Sequence, residues 1–511
     1  MAWTNFLTLF GSSSFAPAIA IAGVVVCYHF RRILKSITCR ALSRVIHLFL
    51  CWRYPIKGLP TAPYAWPNGH GDAAKFLNGA RNSIEWGDLY GNVYRIWSGM
   101  NPEVVVTRSE HVREIFRDSD CHIKAENNDS GYLLSQLLGQ CVGLISGDLW
   151  RAVRTRVEVP FRHRAAVEYL PRILEQTENY FRDWERTAEG SADASALLLD
   201  PAADLKMYPF LLTARLVYGD LDETQVARLR ELAPLREHLF TYVIAGGVAR
   251  YAWSKYLPTK ANELLTKFLA DWLKFNKEAY ERAKVLQSGA PIVAMWEAAE
   301  AGVLEKTHLL QTLDEQLFAN LDVTTGAIAW NLVHLATHDS EQQQLLKEIR
   351  ENLRGEKRRE DYFLRSDTFL AACINESSRL RPVAAFSIPQ SAPSDKIVGG
   401  YTIPKRTNII VDSYALNIRN EYWGPDSTIY RPSRFLKLKP SDYRYQMWRF
   451  GFGPRQCMGK YLADMMLRAC VAYLVENYQL SPTKSEGDLE VEVNPDCWIT
   501  HPQTKIRCVR R

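Results

Sequence analysis

The stretch from Thr307 to His338 (THLLQTLDEQLFANLDVTTGAIAWNLVHLATH) restricts the fold more than any other. Its helical pattern continues for ~32 residues, a rod of ~48 Å at 1.5 Å per residue. The middle is apolar on nearly every side, so other elements must wrap it. Elsewhere helical patterns dominate. Short β-like stretches stand only near Val93–Trp97, Val104–Val106, Ile397–Ile410 and Val491–Val509. They are too few and too dispersed for a sheet-dominated fold. The expectation is a mainly α chain with small β-sheets, its body one large domain over 64–511.

No Asp, Glu, Lys or Arg occurs from Met1 to His29. Phe15–Tyr28 is continuously apolar or small, and extended back through Phe6–Phe10 it reaches the ~20 residues that cross a bilayer. Arg31, Arg32, Lys35, Arg40 and Arg44 follow. Charge on the carboxyl side predicts a membrane anchor over 1–30 with the rest cytoplasmic, the competing reading being a cleaved signal peptide. Residues 31–63 read as a basic, interfacial segment. In it Ala41–Trp52 suits a helix lying along the membrane, and Pro55, Pro60 and Pro63 form a hinge.

The 63 Lys and Arg against 57 Asp and Glu leave a net charge of +6, without basic runs. That falls short of a nucleic-acid footprint and suits an anionic membrane or an acidic protein partner. Ten cysteines show no Cys-x-x-Cys spacing and suggest neither a zinc site nor a disulfide framework.

One cysteine stands apart. In Phe450-Gly-Phe-Gly-Pro-Arg-Gln-Cys457-Met-Gly459, Gly451, Gly453 and Pro454 impose a tight loop that lets backbone approach a flat cofactor. Cys457 precedes a helical pattern over Met458–Val475, where the helix amino terminus favours a thiolate. Such a thiolate suits a haem iron, and Arg455 is placed to reach a haem propionate.

This run resembles the ligand loop of the cytochrome P450 family at Phe450, Gly453, Arg455, Cys457 and Gly459, and other signatures follow in that family's order. The resemblance implies the cytochrome P450 fold behind an amino-terminal transmembrane helix, and haem b (iron protoporphyrin IX) with Cys457 as axial metal ligand. Glu376 and Arg379, in NESSRLRP, would join Arg434, in YRPSRF, in a buried triad supporting the loop. Trp150 and Arg154 share one helical face from which indole and guanidinium would bind propionates. Phe450 and Gly453 shape the cofactor site beside Arg455.

In Ala319-Asn-Leu-Asp322-Val-Thr324-Thr325, Asp322 and Thr324 are the expected catalytic proton carriers. The match is incomplete: Asn320 stands for a glycine and Val323 for a hydroxyl residue. A second departure is Gln390, where the family often places a propionate-binding arginine. By similarity the distal pocket draws on Glu126–Leu138, Val383–Ser387 and Trp498–His501, with Phe386 and Trp498 as walls and Ser387, Thr500 or His501 as polar contacts. Tyr251, Trp253 and Tyr256 are placed to meet the membrane interface.

The activity implied is that of a monooxygenase resembling microsomal fungal members of secondary metabolism. It would insert one atom of O2 into a hydrophobic small molecule, such as a peptide-derived, terpenoid or polyketide intermediate, with a cyclic dipeptide as first guess. No dinucleotide-binding glycine motif is evident, so NADPH would act through a separate NADPH-cytochrome P450 reductase docking near Arg151–Arg164. The implied location is the endoplasmic reticulum membrane, single-pass, catalytic domain in the cytoplasm. A haem-thiolate isomerase, ring-former or peroxide-using enzyme remains the alternative, with a non-catalytic haem-binding protein behind it.

Overall fold

The computed structural model describes residues 36–117, 119, 122–124, 131–189, 196–353, 356–483 and 491–511. The expected anchor over 1–30 lies outside the described residues. Among the described residues no helix is long and apolar enough to cross a membrane.

The central helix runs from Lys306 to Thr337, within one residue of the sequence expectation at each end. It packs against the helices Met207–Tyr218, Phe369–Leu380, Lys460–Asn477 and Tyr132–Leu138, and Leu309, Leu313, Leu317, Ile328, Leu332 and Leu335 are fully buried. Burial on all sides explains why an apolar perimeter suits this helix. At Gly326 another segment crosses closely: a Cβ there would stand 2.8 Å from the ring of His501.

The sheets are small and lie beside this helical body. Strands β1 (Val93–Ser98), β2 (Asn101–Val106), β3 (Ile123–Lys124), β5 (Gln390–Ser391) and β8 (Asn408–Val411) form one sheet in the order β1-β2-β8-β5-β3. Strands β4 (Leu197–Leu199), β9 (Tyr478–Pro482) and β10 (Ile506–Arg510) form a second, in the order β4-β10-β9, while β6 (Lys396–Val398) and β7 (Tyr401–Ile403) make a hairpin.

Two β-like stretches are shorter than expected. Gly399 and Gly400, both at positive φ, turn the chain between β6 and β7, so Ile397–Ile410 holds three strands rather than one. In Val491–Val509 the last residues pair as β10, while Val493 bridges Pro502 antiparallel and Trp498 to His501 lie in the connection between them. Residues 36–53 form one helix that includes the stretch Ala41–Trp52 expected to be helical, with Val45, Leu48, Phe49 and Trp52 exposed.

Candidate functional site

The loop before the helix Lys460–Asn477 is built as its glycines require. Gly453 has φ +67°, and a Cβ on it would lie 2.0 Å from Ser119 Oγ, so only glycine fits. Gly453–Arg455 form one 3₁₀ turn. The Cys457 N–H then donates to the Phe450 carbonyl (2.8 Å), closing the loop around the thiol. Phe450 is covered by Arg449, whose guanidinium lies 4.6 Å from the ring centroid. The helix starts three residues after Cys457.

Cys457 is accessible, yet protein surrounds it closely enough that burial pushes its thiol up. Its sulfur therefore faces open space inside the fold. The Gly459 N–H and the charge of Arg154 pull the other way and do not overcome burial. The helix terminus therefore does not by itself offset the burial of the thiol.

Cations gather on one side of this space. Arg455 is buried, donates to the Ile145 carbonyl (2.8 Å) and lies 4.4 Å from the centroid of the Trp150 ring. Trp150 and Arg154 occupy the same helix, Gly147–Val157, and Arg154 Nε donates to Glu158 (2.6 Å). Burial and the charge of Arg154 push Arg455 down to about 10. Burial and Arg455 push Lys124 down to about 8. Glu315, on the central helix, is the acid facing this group. It accepts from the Gly143 N–H (3.0 Å), and burial pushes it up while Lys124 and Arg154 pull it down. Two guanidiniums and an ammonium that oppose one another's charge call for anionic ligands.

Behind the loop stands the expected triad. Arg379 makes two 2.8 Å bonds to the Glu376 carboxylate, Arg434 Nε donates to it at 3.2 Å, and Glu376 and Arg379 are fully buried. Arg379 also donates to the carbonyls of Asn417 (2.9 Å) and Ser427 (2.6 Å). The Asn417 side chain then clasps the Trp448 backbone from both sides, donating to its carbonyl (2.9 Å) and accepting from its N–H (2.7 Å). Trp448 is two residues before the ligand loop. Asn417 thus transmits the triad's rigidity to the thiol, a link without a sequence signal.

On the central helix the Thr324 hydroxyl donates to Asn320 Oδ1 (2.6 Å), and Asn320 Nδ2 donates to the Gln316 carbonyl (2.7 Å). The asparagine that departs from the family pattern therefore holds the threonine. The Asp322 carboxylate accepts from the Trp498 indole N–H (2.5 Å), and its backbone carbonyl pairs with His501 Nε2 (2.8 Å). Its charge acts on the partly exposed Lys206–Glu237 ion pair. Asp322, Cys497 and His501 bring ligating atoms within 4.8 Å of one another, yet Trp498 and the helix backbone already use two of those groups.

Trp498 stands as a wall between Phe76 and Phe240, with centroids at 5.8 and 5.0 Å. Phe386 does not: it is fully buried beneath the larger sheet against Trp86. Ser387 belongs to that sheet as well, exchanging bonds with the Val411 backbone. The bridge from Phe386 to Asp412 turns this segment into the sheet core. Thr500 Oγ1 bonds the Pro382 carbonyl (3.2 Å). Of the expected loop Glu126–Leu138, 126–130 lie outside the described residues and Tyr132–Leu138 are helical.

The residues present fit a haem: an accessible sulfur in a glycine-shaped loop, and buried cations beside it for two carboxylates. Residues 79–508 match the family model described as Cytochrome P450. The chain is 49% identical over 477 residues to the cytochrome P450 monooxygenase aclC of Aspergillus oryzae, spanning 91% of this chain and 95% of that protein. It is 44% identical over 480 residues to the cytochrome P450 monooxygenase gliC of Aspergillus fumigatus, spanning 92% and 93%. Identity to the cytochrome P450 monooxygenase verC of Clonostachys rogersoniana is 42% over 450 residues, spanning 88% of each.

Proposed function

Because the chain belongs to the cytochrome P450 family, we propose that it oxidises a hydrophobic intermediate of fungal secondary metabolism at a haem held by Cys457. It is a cytochrome P450 monooxygenase with a haem b cofactor and a cysteine thiolate ligand. When bound, the haem lets electrons supplied from outside activate O2, placing one oxygen atom in the substrate and the other in water. The observation that carries the assignment of residues is the accessible Cys457 sulfur facing open space beside Arg455, Trp150 and Arg154.

The chain's own residues then divide the work. Arg455 and Arg154 would hold the haem carboxylates, with the Trp150 ring 4.4 Å from the Arg455 guanidinium. Asn320 orients the Thr324 hydroxyl along the central helix, and Asp322 carries protons from the side of Lys206 and Glu237. Phe76, Phe240 and Trp498 exclude water from an apolar ligand, which supports the hydrophobic class. Asp322→Asn should keep the bond from Trp498, since an amide oxygen also accepts, but cannot carry a proton. Product formation is expected to fall roughly a hundred-fold with haem content unchanged. An unaltered rate would leave Asp322 as a brace for Trp498 only.

Electrons come from NADPH through a separate reductase, for which the exposed Arg151, Arg162 and Arg164 offer a basic face near the thiol loop. Anchoring in the endoplasmic reticulum membrane is supported by continuity of the exposed apolar surface. The Trp66 backbone N–H donates to Ser43 Oγ (2.9 Å) of the helix at 36–53, and its ring lies 6.4 Å from that of Tyr251, next to the exposed Trp253 and Tyr256.

The test is reconstitution with a reductase, NADPH and O2, reading substrate-induced Soret shifts over a panel of cyclic dipeptides, terpenoids and polyketides. Oxygenated product in step with NADPH consumption is expected, with cyclic dipeptides giving the tightest shift. Conversion of substrate without NADPH would replace this reading by an isomerase or peroxide-using one.

A further inference from the structure

We propose that Arg236 donates to a carbonyl oxygen of the substrate, so that the enzyme selects apolar molecules carrying an amide or ketone. This rests on the function proposed above and deepens it, naming the chemical group that is recognised and the residue that recognises it.

Arg236 lies on the helix Glu223–Ala245 and is 5% exposed. It meets the fully buried Asp314 of the central helix through a single nitrogen: Nε donates to both carboxylate oxygens, at 2.9 and 3.0 Å. Guanidinium–carboxylate pairs commonly engage two nitrogens in parallel. Here the two terminal nitrogens donate to no group among the described residues. Aromatic rings surround the cation instead, with the centroids of Phe240 at 5.0 Å and Phe318 at 6.0 Å. Rings hold a guanidinium in place but accept nothing from its in-plane N–H groups. Buried donors left unmade are costly, and an acceptor oxygen removes that cost.

The placement joins this cation to the apolar wall. Asp314, Phe318 and Asp322 follow one another at four-residue spacing on one face of the central helix. Arg236 meets the first two. One turn further along its own helix, Phe240 packs on Trp498 (5.0 Å), which bonds Asp322. The rings of Phe240 and Trp498 therefore run from the guanidinium to the proton carrier, and a ligand lying on them reaches both.

The charge count selects a neutral acceptor. Arg236 faces one carboxylate, and the neighbouring Glu237 is taken by Lys206. A ligand carboxylate would leave a buried excess of negative charge, whereas a carbonyl accepts from the guanidinium and adds none.

The experiment titrates the holoenzyme with two ligands of similar shape and reads the Soret shift: the cyclic dipeptide of two phenylalanines, and the carbonyl-free 1,4-dibenzylcyclohexane. Two variants are compared with the parent. Arg236→Lys keeps a cation for Asp314 but loses the branched donors, and Arg236→Met with Asp314→Leu removes the pair without leaving a buried charge. In both, the ratio of the two dissociation constants should move roughly ten-fold or more against the cyclic dipeptide, while that of the hydrocarbon stays at the parent value. An unchanged ratio, or equal weakening of both ligands, would make the pair structural only and overturn the proposal. So would a parent that gives no shift with the cyclic dipeptide, or one that binds the open-chain dipeptide acid more tightly. Failure of the haem-thiolate reading would show separately, in the parent, as no red-shifted Soret band with carbon monoxide.

Discussion

Cys457→Ser is expected to eliminate the red-shifted Soret band that thiolate ligation gives with carbon monoxide after reduction. Turnover should fall by more than about a thousand-fold, a modest part of the roughly million-fold or greater acceleration that enzymes supply. The chemistry is specific: a serine hydroxyl is not ionised near neutral pH and donates far less electron density to iron than a thiolate. The fold should be little disturbed. The bond that closes the loop runs from the backbone N–H of residue 457 to the Phe450 carbonyl, and Gly453 and Pro454 shape the turn without help from the sulfur. Circular dichroism and thermal unfolding of the apoprotein should therefore match the parent. A serine variant that keeps the thiolate band would remove Cys457 as the ligand.

Arg379→Leu should be the most damaging change outside the loop. It leaves the Glu376 carboxylate fully buried with only Arg434 and the Arg431 N–H (3.1 Å) to bond it, and it orphans the Asn417 and Ser427 carbonyls. Breaking a buried pair in this way costs about 3–5 kcal/mol, against a total stability of about 5–15 kcal/mol for a native domain. The effect should also reach the site, because Asn417 ties the arginine's acceptor to Trp448 and thence to the thiol loop. Denaturant unfolding and haem content should fall together. Arg379→Lys should rescue little, since an ammonium cannot serve a bidentate carboxylate and two carbonyls in the guanidinium's planar geometry. Parent-like stability and haem content in Arg379→Leu would show that the network is dispensable.

Local pattern carried what depends on neighbours along the chain. The central helix was bounded to within a residue because apolar periodicity sustained over its length admits no other element. The thiol loop was legible because glycine at positive φ, proline and cysteine at fixed spacing leave few conformations. The pairing of Glu376 with Arg379 lay within one helical turn, while the recruitment of Arg434 followed only from family resemblance.

What stayed hidden was mostly long-range. Nothing local marks Gln390 as the strand partner of Lys124, and both sit in two-residue strands whose pairing is decided by the sheet around them. Phe386 was expected in the pocket, but a bridge to Asp412 places it beneath the sheet. The Trp498 indole reaches Asp322 across 176 residues of chain, and the Asn417 side chain reaches the Trp448 backbone across 31.

Periodicity and spacing along the chain thus settled the helical architecture and the thiol loop, because backbone sterics and burial act on adjacent residues. Tertiary packing alone decided which cations gather beside the thiol loop, what grips Asp322 and how the buried triad reaches the thiol. Those outcomes depend on where distant side chains meet and on which buried charges remain to be paired.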